Sequence, residues 1–179
     1  MKPIEQHLTQ YAAYHRDRRN IATHFVGIPM IVFAVILALE TASFSIAGWA
    51  VSGAAIMAVV ACIYYLKLDW ALGAAMAVVL FFMCAGASEI EPRLGSGLTL
   101  WLALAVFVVG WVLQFLGHKY EGMKPAFFDD VMGLAIGPLF VCAEAFFMLG
   151  AKPTLRRYIE ERVGPVVARR EHAASPASR

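Results

Sequence analysis

Five long apolar runs, separated by short polar stretches, account for more than half of the chain. Four of them are 19 to 23 residues long, and the first has 15. Because a membrane-spanning helix needs about 20 apolar residues, the pattern predicts an all-α, polytopic transmembrane bundle of four to five membrane helices. The first run spans only if it recruits flanking residues. The five runs are Phe25–Leu39, Phe44–Leu66, Trp70–Ser88, Leu98–Gly117 and Val131–Gly150.

The segment before the first run has the spacing of an amphipathic helix. Its apolar positions recur every three or four residues, which places them on one helical face. We therefore expect residues 3–17 to form a surface helix on the membrane, with Arg16, Arg18 and Arg19 at the lipid phosphates. The positions on the apolar face are Ile4, Leu8, Tyr11 and His15.

Composition supports a membrane protein with one domain. Sixty per cent of the residues are apolar and 16% are charged, whereas about 25% is usual for charged residues. We expect one integral membrane domain over residues 1–150 and a basic, partly disordered tail over residues 151–179. A net charge of +2 is too small to indicate nucleic acid as a partner. The alanine-rich composition favours a bacterial inner membrane, or the endoplasmic reticulum in a eukaryote.

The charges at the two ends constrain the topology. Both ends are basic, which is typical of cytoplasmic segments and requires an even number of crossings. One of the five runs is then irregular, and the candidates are the short first run and the last run, which Gly137 and Pro138 interrupt. If runs one to four all cross, His24 and His118 lie on the same cytoplasmic face. If the first run does not cross, no shared site exists.

Three histidines lie at the ends of apolar runs. His15 and His24 are nine residues apart, so on one straight helix they would face opposite ways. A break near residues 18–20, with Asn20 as the N-cap of the next helix, would bring them together. His118 ends the fourth run. Imidazole suits iron, zinc, copper and nickel, so these three histidines are the candidate metal ligands.

Other polar residues could support such a site. Gln114, His118 and Glu121 share one helical face, and Glu121 is a possible fourth ligand. Asn20 and Gln114 are candidate supporting residues. Glu144 lies inside the last run, where a carboxylate is costly in lipid and must face the bundle interior or a partner. It is either a supporting group or a member of an ion pair.

The same residues resemble a known family. Tyr14-His15, Asn20, His24, Gly27 and Pro29, followed by Gly117-His118, Glu121, Pro125-Ala126 and Gly137-Pro138, resemble the Mpo-like family of small polytopic membrane proteins. The resemblance covers about residues 3 to 150. It implies an Fe(II)-dependent dioxygenase that uses O₂ to shorten long-chain 2-hydroxy fatty acids by one carbon in α-oxidation. It also implies that His15, His24 and His118 are the functional histidines.

Two alternatives remain at this stage. Diiron membrane hydroxylases and desaturases generally use eight or more histidines, whereas this chain has five. A non-enzymatic scaffold or small transporter would use the histidines structurally or for proton transfer, and the intramembrane Glu144 gives this reading some support. A lipid-like substrate and membrane lipids are the expected partners. The sequence leaves the substrate's chain length and the oligomeric state open.

Overall fold

The computed structural model describes residues 3–122 and 132–167. Residues 123–131, which contain Pro125 and Ala126, lie outside the described part. So do residues 168–179 at the end of the basic tail. The described chain is predominantly helical, as predicted, with one short antiparallel hairpin. Its elements are α1 (Pro3–Ala12), α2 (Arg18–Glu40), β1 (Ser43–Ile46), β2 (Trp49–Ser52), α3 (Gly53–Leu68), α4 (Trp70–Glu121), α5 (Met132–Met148) and α6 (Pro153–Val163).

Two helices, α2 and α4, are long and apolar enough to cross a membrane. The axes of α5 and α6 differ by 112°, and these two helices would add a third span if together they form one broken span. The predicted four to five membrane helices are therefore not supported. One reason is length: α3 has 16 residues and α5 has 17, or about 24 and 26 Å, which is less than a bilayer core of about 30 Å.

Two predicted runs lie in one element, α4. The polar stretch between them, residues 89–97, remains helical except at Gly95, whose φ of 75° and ψ of 156° are not helical. A Cβ atom added at Gly86 would lie 3.8 Å from the Phe33 ring, and one added at Gly110 would lie 2.7 Å from Ile31. Residues 86 and 110 would be about 36 Å apart on a straight helix. Helix α4 therefore folds back near Gly95, and both of its arms pack against α2.

Helix α1 is amphipathic, but its apolar face packs against protein. Ile4, Leu8 and Tyr11 are buried, and they belong to the same core cluster as Phe140 of α5 and Ile159 of α6. The predicted surface helix over residues 3–17 is thus wrong in two respects. It ends at Ala12, and its apolar side is covered by α5 and α6.

Candidate metal centre

The loop between α1 and α2 carries His15. Asp17, and not Asn20 as predicted, is the N-cap of α2: its carboxylate accepts a hydrogen bond of 2.8 Å from the backbone N–H of Arg19. Asn20 lies in the first turn of the helix. The N-cap therefore lies three residues earlier than predicted, and the break between Ala12 and Arg18, which contains His15, allows His15 and His24 to face each other.

Gly117 on α4 lets His118 approach the other two histidines. A Cβ atom at Gly117 would collide with the side chains of Thr23 and Asn20 and would lie 3.2 Å from Nδ1 of His24. Because glycine has no side chain at this contact, the second arm of α4 packs closely along the first turns of α2. The structure thus brings His24 and His118 to the same end of the bundle.

The three predicted histidines form one buried cluster. Their ring centroids are 4.6 Å (His15–His24), 4.9 Å (His15–His118) and 5.1 Å (His24–His118) apart, and their planes are inclined by 70 to 78°. One nitrogen from each ring lies within 4.8 Å of the others. The side chains are 0, 1 and 6% exposed. This is the arrangement of three ligands around a common point.

Hydrogen bonds determine which nitrogens carry protons. Nδ1 of His15 lies 2.7 Å from the carbonyl oxygen of Tyr11, and Nδ1 of His24 lies 2.9 Å from that of Asn20. A carbonyl only accepts, so both Nδ1 atoms donate and both Nε2 atoms carry lone pairs. These Nε2 atoms are 3.0 Å apart. Two acceptors at this distance repel each other, and a shared cation would relieve the repulsion.

Two further observations fit a metal ion. Nδ1 of His118 is buried and has no hydrogen-bond partner among the described residues, which is unusual for a buried polar atom. Burial, the largest cause, and the neighbouring His24 and His118 hold the pKa of His15 well below its usual range. A neutral imidazole is the form that binds metals. The ring of His15 also stacks on Tyr11 at 4.2 Å.

Glu121 has a different place from the predicted fourth ligand. Its carboxylate accepts hydrogen bonds from the backbone N–H groups of Arg16 (3.0 and 3.1 Å) and Asp17 (2.7 Å) and from Nδ2 of Asn20 (3.1 Å). It is 3% exposed. Glu121 therefore connects the end of α4 to the loop that carries His15, and so holds His15 relative to His118. Asn20 also supports the site through its carbonyl contact with His24.

Arg16 is also placed differently from the prediction. It was expected at lipid phosphates, but it is 2% exposed and its guanidinium donates to the carbonyls of Ala12, His15 and Gly164. Its Nη2 lies 3.5 Å from a carboxylate oxygen of Glu144. Of the two expectations for Glu144, the ion pair is the one found. This pair joins α5 to the loop that carries His15.

The C-terminal segment closes over the same loop. Arg18 N–H donates to the carbonyl of Val167, and Val167 N–H donates to the carbonyl of Arg16, at 2.9 and 2.8 Å. Sequence reasoning missed this parallel bridge, and it missed Asp17 and Tyr11 as parts of the site. The N-cap signal in the sequence favours Asn20, which lies directly before the first apolar residue of α2, Ile21.

A small cavity of about 70 Å³ lies beside the histidines. His24 and His118 form part of its wall, and Gln114 faces it from the second arm of α4. The side-chain nitrogen of Gln114 is buried, with no hydrogen-bond partner among the described residues. The cavity therefore combines two candidate metal ligands with an amide group that can bind a polar atom. The remaining lining residues are Tyr11, Ile28, Ile31, Val32, Trp111, Gly133, Leu134, Gly137 and Pro138.

Comparison with known proteins agrees with this site. The chain is 29% identical over 159 residues to the 2-hydroxy-palmitic acid dioxygenase MPO1 of Saccharomyces cerevisiae, covering 88% of this chain and 87% of the yeast protein. No solved structure matches the chain. The family described as 2-hydroxy-palmitic acid dioxygenase Mpo1-like matches residues 1–149, which include all three histidines. The chain therefore belongs to the Mpo1-like family.

Proposed function

We propose that this protein is a membrane-embedded, Fe(II)-dependent dioxygenase that shortens long-chain 2-hydroxy fatty acids by one carbon. The observation that carries the proposal is the cluster of His15, His24 and His118, in which two lone-pair nitrogens face each other at 3.0 Å. The family membership and the yeast relative support the substrate class.

Two nitrogens that bind one metal ion at about 2.1 Å lie about 3.0 to 3.4 Å apart, so the distance between Nε2 of His15 and Nε2 of His24 fits a shared ion. His15, His24 and His118 would hold it. A ferrous ion held there would supply the redox chemistry with O₂ and a binding position for the substrate.

The proposed reaction balances without an external reductant. A 2-hydroxy acid, RCH(OH)COOH, and O₂ yield RCOOH and carbonic acid, which gives CO₂ and water. The bond between C1 and C2 breaks, and each new fragment gains one oxygen atom from O₂. The substrate loses four electrons and O₂ accepts four. The product is a fatty acid one carbon shorter.

The chain's own residues would prepare the site for this reaction. The carbonyls of Tyr11 and Asn20 hold the protons of His15 and His24 on Nδ1, so that both Nε2 atoms remain available. Glu121 fixes the loop that carries His15. The amide nitrogen of Gln114 can donate to the carboxylate or hydroxyl oxygen of a substrate in the cavity. The surrounding apolar side chains would exclude water from the reacting atoms.

We place the protein in a membrane with its histidine end on the cytoplasmic side, in a bacterial inner membrane if the source is bacterial. Helix α2 and the second arm of α4 would cross the bilayer in opposite directions. Three exposed cations, Arg18, Arg19 and Lys119, lie at the histidine end of these helices, as expected for a cytoplasmic face. In sealed vesicles of known orientation, Arg18→Cys and Ser45→Cys variants should react with an impermeant maleimide from opposite sides. Labelling from the same side would contradict this topology.

The test of function uses the purified protein in mild detergent, loaded anaerobically with Fe(II). After addition of 2-hydroxypalmitic acid and ¹⁸O₂, mass spectrometry should find pentadecanoic acid with one ¹⁸O atom in its carboxyl group. The metal content of the wild-type protein should be about one iron per chain. His118→Ala should lose both the metal and the product, whereas the matched variant His7→Ala should keep both. Iron binding and turnover in His118→Ala equal to those of the wild type would overturn the proposal.

A further inference from the structure

A second, larger depression lies next to the cavity beside the histidines. It lies between α2, the first arm of α4 and α5, and has a volume of about 310 Å³. Ile28, Val32 and Pro138 line both spaces, so the two are neighbours that share a wall. The other lining residues of this depression, which we call the tail groove, are Pro29, Ala75, Met76, Val79, Met83, Val141, Cys142, Ala145 and Phe146.

We propose that the tail groove holds the hydrocarbon tail of the substrate whose polar end lies beside the histidines. This inference rests on the proposed function and adds to it the residues that select the chain length. The occupant is the tail of the reacting molecule itself, because three residues line both the groove and the cavity of the metal site.

The chemistry of the groove fits a straight alkyl chain. Its walls are side chains of aliphatic, sulfur-containing and aromatic residues, without a charged side chain among them. A hydrocarbon can be buried there without leaving a polar atom unsatisfied. If a methylene group takes roughly the 30 Å³ of a water molecule in the liquid, the groove has room for on the order of ten methylene groups. That is most of the tail of a long-chain fatty acid.

The metal-site cavity alone is too small for such a molecule. At about 70 Å³, it has room for only about two groups of that size, which suits the carboxylate and the hydroxylated carbon. Without the tail groove, the hydrocarbon tail would have to leave the protein next to the reacting atoms. Each methylene group buried in the groove should instead contribute about fourfold in affinity.

The first test changes the size of the groove. Ala75→Phe should fill part of it and displace about two methylene groups, so that the ratio of kcat/KM for 2-hydroxypalmitic acid to that for 2-hydroxydecanoic acid falls about 15-fold. Met83→Ala should enlarge the groove and move the preference towards longer acids. Val78→Phe is the matched control, since Val78 is 56% exposed on the same helix and is not a lining residue. Wild-type ratios in folded Ala75→Phe and Met83→Ala proteins would overturn the proposal.

The second test does not require turnover. A 2-hydroxy fatty acid with a photoreactive diazirine near its methyl end is added to the iron-loaded protein without O₂, and the labelled peptides are mapped by mass spectrometry. Label should appear around residues 75–83 and 141–146. It should be displaced by 2-hydroxypalmitic acid but much less by a phospholipid. Equal displacement by both would show a general lipid site and overturn the proposal.

The two tests separate this inference from the proposed reaction. Labelling that is specific for 2-hydroxy acids, in a protein that turns none of them over, would support the groove and contradict the reaction. Turnover with a chain-length profile that groove variants leave unchanged would support the reaction and contradict the groove.

Discussion

Replacement of Glu121 tests whether this carboxylate positions the histidine loop. The side chain accepts hydrogen bonds from three groups, the N–H groups of Arg16 and Asp17 and the amide of Asn20, at 2.7 to 3.1 Å. A hydrogen bond to a charged partner contributes about 1.5–3 kcal/mol. Glu121→Gln keeps one accepting oxygen and turns an N–H₂ group towards the remaining donors. We therefore expect the free energy of unfolding to fall by about 2 kcal/mol.

The same change should weaken metal binding although Glu121 is not among the three clustered ligands. A looser loop lets His15 move away from His24 and His118. Changes in residues that orient metal ligands typically reduce metal affinity by about 10- to 100-fold. Anaerobic titration with Fe(II) measures this loss. Hydrogen exchange of the Arg16 and Asp17 amides should become faster in the variant, which reports on the loop directly.

The control is Glu89→Gln, because Glu89 forms an exposed ion pair with Arg93 one helical turn away. Such a pair contributes at most about 0.5 kcal/mol, and its loss should leave iron affinity unchanged. An iron affinity for Glu121→Gln equal to that of Glu89→Gln would refute the positioning role. Loss of one oxygen ligand from the iron, seen by X-ray absorption of Glu121→Gln, would show that Glu121 is a ligand instead.

Three other predictions concern packing and pH. Gly117→Ala should push α4 away from α2, lower stability by about 1–3 kcal/mol and weaken metal binding. A Cβ atom at Gly97 meets nothing within 4 Å, so Gly97→Ala should change neither property. Thermal unfolding measures the stability of each variant, and metal titration measures its metal affinity. Burial and then the neighbouring histidines lower the pKa of His15. The metal-free protein should therefore lose stability as pH falls below about 6.5, where His15 of the unfolded chain becomes protonated. Denaturant titrations across pH, repeated on His15→Ala, test this. Burial opposes ionisation of Asp69, but hydrogen bonds from α4 backbone N–H groups and Lys152 outweigh it and lower its pKa. Its stabilising effect should therefore be present above about pH 4 and be lost on acidification through its folded pKa, and Asp69→Asn should remove that pH dependence.

The sequence predicted which histidines meet because the relevant signals are local. A helix break between His15 and His24 follows from their nine-residue separation, and the placement of His118 at the end of an apolar run follows from hydropathy. The break was nevertheless assigned to Asn20 and not to Asp17. Both residues can cap a helix, but the side chain of Asn20 instead donates to the carboxylate of Glu121, which is a tertiary contact.

The number of membrane helices could not be predicted from the apolar runs alone. Hydropathy detects a length of apolar chain, but it does not report whether the next polar stretch ends the helix. The stretch over residues 89–97 contains Pro92, Gly95 and Gly97, yet only Gly95 departs from helical geometry. Pro92 stays within helical geometry three residues before Gly95, whereas the positive φ at Gly95 marks the point at which the chain reverses.

Glu121 illustrates a limit of a different kind. A carboxylate three residues after a histidine on a helix can be a metal ligand or an anchor for backbone N–H groups, and the spacing is the same in both cases. The difference lies in the loop 105 residues earlier, where the N–H groups of Arg16 and Asp17 lie between two helices and donate to the carboxylate of Glu121. Those groups must be satisfied if they are buried. Once the loop packs against α4, the carboxylate accepts hydrogen bonds from the backbone, and we therefore expect Glu121 to position the histidines without binding the metal itself.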